Sequence, residues 1–221
     1  QPFENSGLVT IEGLLTHSSG LPRESDTPYW MAPDFPFPTR EEMIEKLPGQ
    51  SMLYPARSRY QYSNLGASIA GEVVQAQSGQ DYQEYVKENI LDPLGLEDTR
   101  AYFPLDMHGK EMAMGYSGFG RSGVRKPLNA FFTGGITPAA GFTSTVSDLA
   151  KFASWQFRLL ETGGDELLDA HTLKEMHRVH FIDGDDGYMS GLGFNVEQSD
   201  KNVLGHGGGC LKYCAGLHFR N

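Results

Sequence analysis

Cations are scarce in this sequence. Its 18 Lys and Arg stand against 28 Asp and Glu, a formal net charge of −10. Phosphate neutralisation needs a basic patch, so nucleic acid is excluded as a partner. A polybasic segment that would hold an anionic membrane surface is missing too. No apolar run reaches the ~18 residues of a spanning helix, and no signal-peptide pattern opens at Gln1. Repeats and low-complexity tracts are absent.

Cysteine is nearly absent: only Cys210 and Cys214 occur. On a single strand they would stand about 13 Å apart at ~3.3 Å per residue, beyond disulfide reach. The expectation is two buried thiols, which set no compartment. His177 and His180 are spaced to share a helix face, but no third ligand follows at a recognisable spacing. Neither a metal nor an organic cofactor is implied.

Hydrophobic residues make up 39% and charged residues 21%, the balance of a folded chain with a substantial core. Residues 10–17 read as a short helix capped by Thr10. The segment 21–38 holds five prolines and several aromatics and reads as an ordered loop. Thr39 and Glu42 form a capping box, with Met43, Ile44 and Leu47 turned inward behind it. A helix over 63–77 carries Leu65, Ile69, Val73 and Ala76 on one stripe and stops at Gly79. Another starts near Asp81 and ends before Pro93. Residues 103–139, rich in Gly and Pro, read as surface chain or short strands. A second box, Thr145 with Asp148, opens a long helix filled by Leu149, Phe152, Ala153, Trp155 and Phe157, closed by Gly163 and Gly164. A shorter helix spans 169–180. After residue 180 the period changes, and GYMSGLGFNVEQ, NVLGHGGG and LKYCAGLHFRN read as antiparallel strands. The fold class is therefore α+β: one domain over 1–221, mostly helical to 180, with sheet strands over 181–221.

Three stretches hold chemistry-bearing residues: LLTHSSGLP (14–22), YSN (62–64) and HGGG (206–209). Ser63 is read as the helix cap. In order, and with the connecting text QYSNLGASIAGEVVQAQSG, LDPLGLEDT and TPAAGFTSTVSDLAKFASW, the sequence closely resembles the serine β-lactamase-like superfamily. That superfamily comprises class C β-lactamases, DD-peptidases, D-aminopeptidases and family VIII esterases.

The resemblance implies a β-lactamase/transpeptidase-like fold and acyl-enzyme hydrolysis of a small ester, amide or peptide. It implies that Tyr62 matches the tyrosine that shuttles the nucleophile's proton. With a reference pKa of about 10, that tyrosine serves as a base only where cations hold its phenolate. Asn64 matches the asparagine that bonds the substrate and orients the catalytic lysine. His206, Gly207 and Gly208 match the third motif, and Gly209 would lend its backbone N–H to an oxyanion hole.

The departures are equally specific. None of the lysines has a serine three residues before it, so the S-x-x-K motif of nucleophile and lysine is missing. The expectation is an internal portion of a hydrolase, truncated at both ends and inactive by itself. Such a chain would self-associate through its open sheet or be poorly stable. Lys212 stands where the family keeps a small residue, and Gly207 where β-lactamases prefer a hydroxyl. Without that hydroxyl and the motif's lysine cation, esters or small peptides are expected over β-lactams. The alternatives are a class C-type β-lactamase and a non-catalytic binding domain of the same fold. An α/β-hydrolase would need G-x-S-x-G after the HGGG run, and none occurs.

Overall fold

A computed structural model describes residues 7–25, 29–30, 35–121, 123–210 and 213–220. In chain order its helices are α1 Ile11–Leu15, α2 Arg40–Lys46, α3 Asn64–Ser78, α4 Tyr82–Val86, α5 Thr137–Ala140, α6 Val146–Thr162 and α7 Ala170–His177. A small hairpin, β1 Asp165–Glu166 with β2 Leu168–Asp169, interrupts the helical part. The main sheet has five antiparallel strands in sequential order: β3 Phe181–Ile182, β4 Met189–Ser190, β5 Asn195–Val196, β6 Val203–Cys210 and β7 Tyr213–Arg220. The stretch expected as one strand over 187–198 splits into β4 and β5.

Local chemistry sets the helix starts. Thr10, Thr39, Ser63, Thr145 and Asp169 each accept a backbone N–H of the first turn. Thr39 and Glu42 complete a reciprocal box. Thr145 and Asp148 do not. The Asp148 carboxylate instead accepts from Asp98 N–H at 2.8 Å, Thr99 Oγ1 at 2.9 Å and Lys151 Nζ at 3.0 Å. A buried charge goes where three donors converge, so Asp148 ties α6 to the distant turn at Asp98 and Thr99.

Two apolar stripes differ from the expected ones. On α3, Ala76 is exposed and the buried line runs through Leu65, Ser68 and Gly71. Small residues face inward because Pro138 of α5 sits against the helix: a Cβ on Gly71 would lie 2.3 Å from Pro138 Cγ. On α2 Met43 is buried while Ile44 is exposed. Phe157 is exposed as well, although its ring meets Phe219 of β7 at 5.6 Å. Helix α7 ends at His177, and His180 lies beyond it, its Nε2 2.7 Å from the Glu175 carbonyl.

Helical region and sheet are joined by aromatic and polar contacts. His177 and Phe157 lean on Phe219, covering one face of the sheet. Asp183, just after β3, is buried and accepts from Tyr60 N–H at 2.5 Å and Asp185 N–H at 2.8 Å. The Tyr60 and Tyr188 rings meet at 3.8 Å beside it. This seam delivers the chain to Tyr62 one residue after Gln61.

Within residues 103–139 the described residues of 118–127 are exposed, as expected of surface chain, but Phe103, Thr133 and Ile136 are buried. Phe103 is buried against Phe131 at 4.8 Å and Tyr213 at 6.3 Å. The Tyr213 hydroxyl accepts from Gly115 N–H at 2.9 Å and donates to the Ala113 carbonyl at 2.7 Å. The segment is pinned to β7 and becomes a wall.

Candidate active site

A cleft of about 900 Å³ opens between the start of α3, the outer part of β6–β7 and the wall just described. Tyr62, Asn64, His206, Gly207, Gly208 and Gly209 all line it. The stretches singled out in the sequence are thus brought together from two distant parts of the chain. Apolar side chains fill much of the remaining lining, among them Trp30, Phe103, Met107, Phe131 and Phe142.

Ser63 places the first two residues. Its Oγ accepts from Gly66 N–H at 2.8 Å and donates to the Pro22 carbonyl at 2.7 Å. The cap therefore fixes the helix start and clamps it to Pro22, the last residue of LLTHSSGLP. Asn64, the first residue of α3, is buried.

Tyr62 is packed among rings. His17 lies 4.4 Å from it, His206 stacks at 6.2 Å, and the Arg23 guanidinium sits over its face at 5.3 Å. Burial raises the phenol above its ordinary value; Arg23 pulls it down, while Glu24 and Tyr188 push it up. The net direction leaves Tyr62 protonated at neutral pH. A phenolate held by surrounding cations is not what this set of neighbours favours: among them Arg23 alone lowers its pKa.

The two histidines packed against Tyr62, His17 and His206, are neutral at pH 7. Burial depresses His206, with a smaller opposing effect from its Gly207 hydrogen bond. Burial and His206 bring His17 down to about 4. His17 accepts Ser63 N–H at its Nδ1 at 3.2 Å, which fits a neutral ring. Its φ of 55° turns the chain so that the ring faces Tyr62.

Pairing of β6 with β5 covers Leu204 and Gly205 only, whereas pairing with β7 continues to Cys210. From His206 onward β6 is bonded on one side. At Gly207, Gly208 and Gly209 an added Cβ would find no atom closer than 3.7 Å, so packing within the chain does not require glycine there. All three are exposed to the cleft.

Cys210 and Cys214 are not on one strand. They straddle the β6–β7 ribbon, Cys214 opposite Gly209 and Cys210 opposite Tyr213, so the pleat sends them to opposite faces. Both are free; Cys214 is exposed and Cys210 half-buried, against the expectation of two buried thiols. Lys212 lies outside the described residues, as do residues 26–28 and 31–34 of the proline-rich loop. His177 Nε2 pairs with Gln156 Oε1 at 2.8 Å, and among the described residues no cluster of three His, Cys, Asp or Glu could hold a metal ion. No helix among them is long and apolar enough to cross a membrane.

His17, Arg23 and Glu24 went unassigned in the sequence. All three flank the same SSGLP turn. A histidine before it and an Arg-Glu pair after it, beside a motif already suspected of chemistry, were the available signal.

The beta-lactamase family model matches residues 2–221. The chain belongs to the beta-lactamase family. It is 30% identical over 183 residues to beta-lactamase-like protein 2 of Dictyostelium discoideum, covering 81% of this chain and 32% of that protein. It is 30% identical over 140 residues to the D-alanyl-D-alanine-carboxypeptidase/endopeptidase AmpH of Escherichia coli K12, covering 63% of this chain and 36% of that protein. The chain thus spans about a third of the length of these curated relatives. The octameric penicillin-binding protein homologue from Pyrococcus abyssi superposes with a TM-score of 0.77 at 27% identity, over 96% of this chain and 49% of that one. A class C beta-lactamase mutant shares the fold at a TM-score of 0.69 and 18% identity, over 96% of this chain and 62% of that one. The β-lactamase/transpeptidase-like fold of helices beside an antiparallel sheet is thereby established, in a family of hydrolases.

Proposed function

We propose that the protein containing this chain is a serine hydrolase that works through an acyl-enzyme on esters or small amides and peptides. One observation carries the reading: Tyr62, Asn64 and residues 206–209 line a single cleft. No S-x-x-K motif occurs among these residues, so the attacking serine and its lysine of this reading are not among the side chains described.

In this reading the protonated Tyr62 gives its proton to the leaving group and recovers it from the nucleophile or from water. Asn64 bonds the substrate's amide or ester flank. The Gly209 N–H meets the oxyanion, and His206, neutral, positions substrate as a hydrogen-bonding ring rather than a charge. Gly207 supplies no hydroxyl, so this end of the cleft has little to hold a β-lactam carboxylate. The apolar lining favours an acyl group with a hydrocarbon or aromatic side chain. AmpH is described as a carboxypeptidase and endopeptidase, and a Streptomyces structural relative as a D-stereospecific amidohydrolase. Both descriptions agree with amide chemistry here. Among the described residues strand β7 lies at the edge of the sheet, and the Pyrococcus relative is described as octameric, which supports self-association of the protein.

The test is a substrate panel on the full-length protein: p-nitrophenyl acetate and butyrate, D-amino acid p-nitroanilides and nitrocefin. Ester or anilide turnover with a burst of acyl-enzyme is the expected result. Efficient nitrocefin hydrolysis with little ester or anilide turnover would reverse the substrate assignment.

A further inference from the structure

Asn64 presents two nearly isosteric ends, a carbonyl oxygen and an NH₂ group, and its use in the cleft depends on which end faces where. The Ser63 cap fixes its backbone but not its carboxamide. Glu24, absent from the roles assigned so far, lies directly behind it. Asn64 Nδ2 donates to Glu24 Oε1 at 2.5 Å, and Trp30 Nε1 donates to the same oxygen at 2.6 Å. Arg23, the preceding residue, ion-pairs with that oxygen at 3.6 Å while its guanidinium lies over Tyr62. Glu24 Oε2 is buried with no partner among the described residues. Stability alone does not account for a charge left half-satisfied behind an apolar wall, because burying it unpaired is costly.

A carboxylate accepts and never donates. Facing Glu24, Asn64 can turn only its NH₂ inward, which leaves Oδ1 toward the cleft. A glutamine at the same place would tolerate either orientation.

We propose that Glu24 is a positioning residue of the cleft: its carboxylate, gripped by the Trp30 indole, holds the Asn64 carboxamide in a single orientation. Its second effect is on Tyr62, against whose ring His17 and His206 pack: burial, Glu24 and Tyr188 raise the phenol while Arg23 lowers it. The effect on turnover rests on the hydrolase reading; the Glu24–Asn64 link does not.

The experiment uses the full-length protein labelled with ¹⁵N-asparagine and ¹³Cζ-tyrosine, as wild type, Glu24→Ala and Glu24→Gln. In the wild type one Asn64 side-chain proton is expected downfield of the free-amide region and slow to exchange, as in a buried charge-assisted bond. It should return to the free-amide region in Glu24→Ala and weaken in Glu24→Gln. In Glu24→Gln, Tyr62 should titrate at lower pH, an effect that a merely structural role would not produce. Turnover should fall by about 10- to 100-fold in Glu24→Ala, the scale of small misplacements at a site, with KM changed less. An unchanged Asn64 resonance in a Glu24→Ala variant that still melts cooperatively overturns the proposal. Should that variant not fold, unchanged Asn64 and Tyr62 signals in Glu24→Gln overturn it equally. A wild type without hydrolase activity leaves both signals readable, so the two readings fail separately.

Discussion

The Tyr62 and His206 rings lie 6.2 Å apart, inclined by 29°, one before the first residue of α3 and the other on β6. They span the joint between the helical region and the sheet. Replacing Tyr62 by Phe keeps this stacking and removes only the hydroxyl. In the full-length protein, Tyr62→Phe should lower turnover by roughly 10²-fold or more, the scale of lost acid–base help, with a near-unchanged melting temperature. Near-wild-type kcat would remove Tyr62 from the proposed mechanism.

Acid should weaken the fold in two stages. His17 and His177 are each pressed down to about 4, both chiefly by burial. Their unfolded values lie near 6.5, so between about pH 6.5 and 4 the unfolded chain takes protons that the folded chain refuses. Stability is therefore full above that window and declines as pH falls through it, by at most about 1.4 kcal/mol per pH unit for each ring. Asp183 is held below the ordinary carboxylate value by the N–H groups of Asp185 and Tyr60. Its contribution is present above about pH 4, its unfolded value, and disappears on further acidification. Urea midpoints at pH 7.5, 6, 5 and 4 read this directly; a flat midpoint from 7.5 to 5 would contradict the histidine assignment.

Asp183 should also matter at neutral pH. Asp183→Ala leaves the Tyr60 N–H without its acceptor at a buried joint, a loss of about 1–3 kcal/mol. Because the same bond steers the approach to Tyr62, hydrolysis should fall along with the urea midpoint. A variant with reduced stability but intact kcat would separate the joint from the site.

Cys214 offers a handle inside the cleft. It is exposed and opposite Gly209, whereas burial lifts the Cys210 thiol to about 11. A maleimide should modify Cys214 first, as peptide mass mapping would report, because access and thiolate fraction govern the rate. A bulky adduct there should cut turnover at least tenfold, and a methylthio adduct much less. Preferential labelling of Cys210 would contradict this arrangement of the ribbon.

Much of this was legible in the amino acids because it is local. Caps at Thr10, Thr39 and Ser63 act over three residues, and the period change after residue 180 announces the sheet. Tyr62, Asn64 and residues 206–209 are named through the family resemblance of the whole chain, and their convergence on one cleft is a matter of tertiary structure. What escaped depends on partners distant in sequence. Asp148 looked like half of a capping box until Asp98 and Thr99 competed for its oxygens. The buried face of α3 follows Pro138 rather than hydropathy. Residues 103–139, without any period, acquire order from Phe131 and Tyr213. Glu24 is an ordinary surface residue until Asn64 and Trp30 are folded against it.

The half-paired strand β6 has one more consequence. Anything lying along it beyond Gly205 meets amide and carbonyl groups of the main chain, with three bare glycines in a row. Point substitutions elsewhere in the cleft can reshape the room available without altering that row of donors and acceptors. In the proposed hydrolase, the grip on a ligand's backbone and the choice of its side groups would thus be written in separate parts of the chain, and drift in one would leave the other intact.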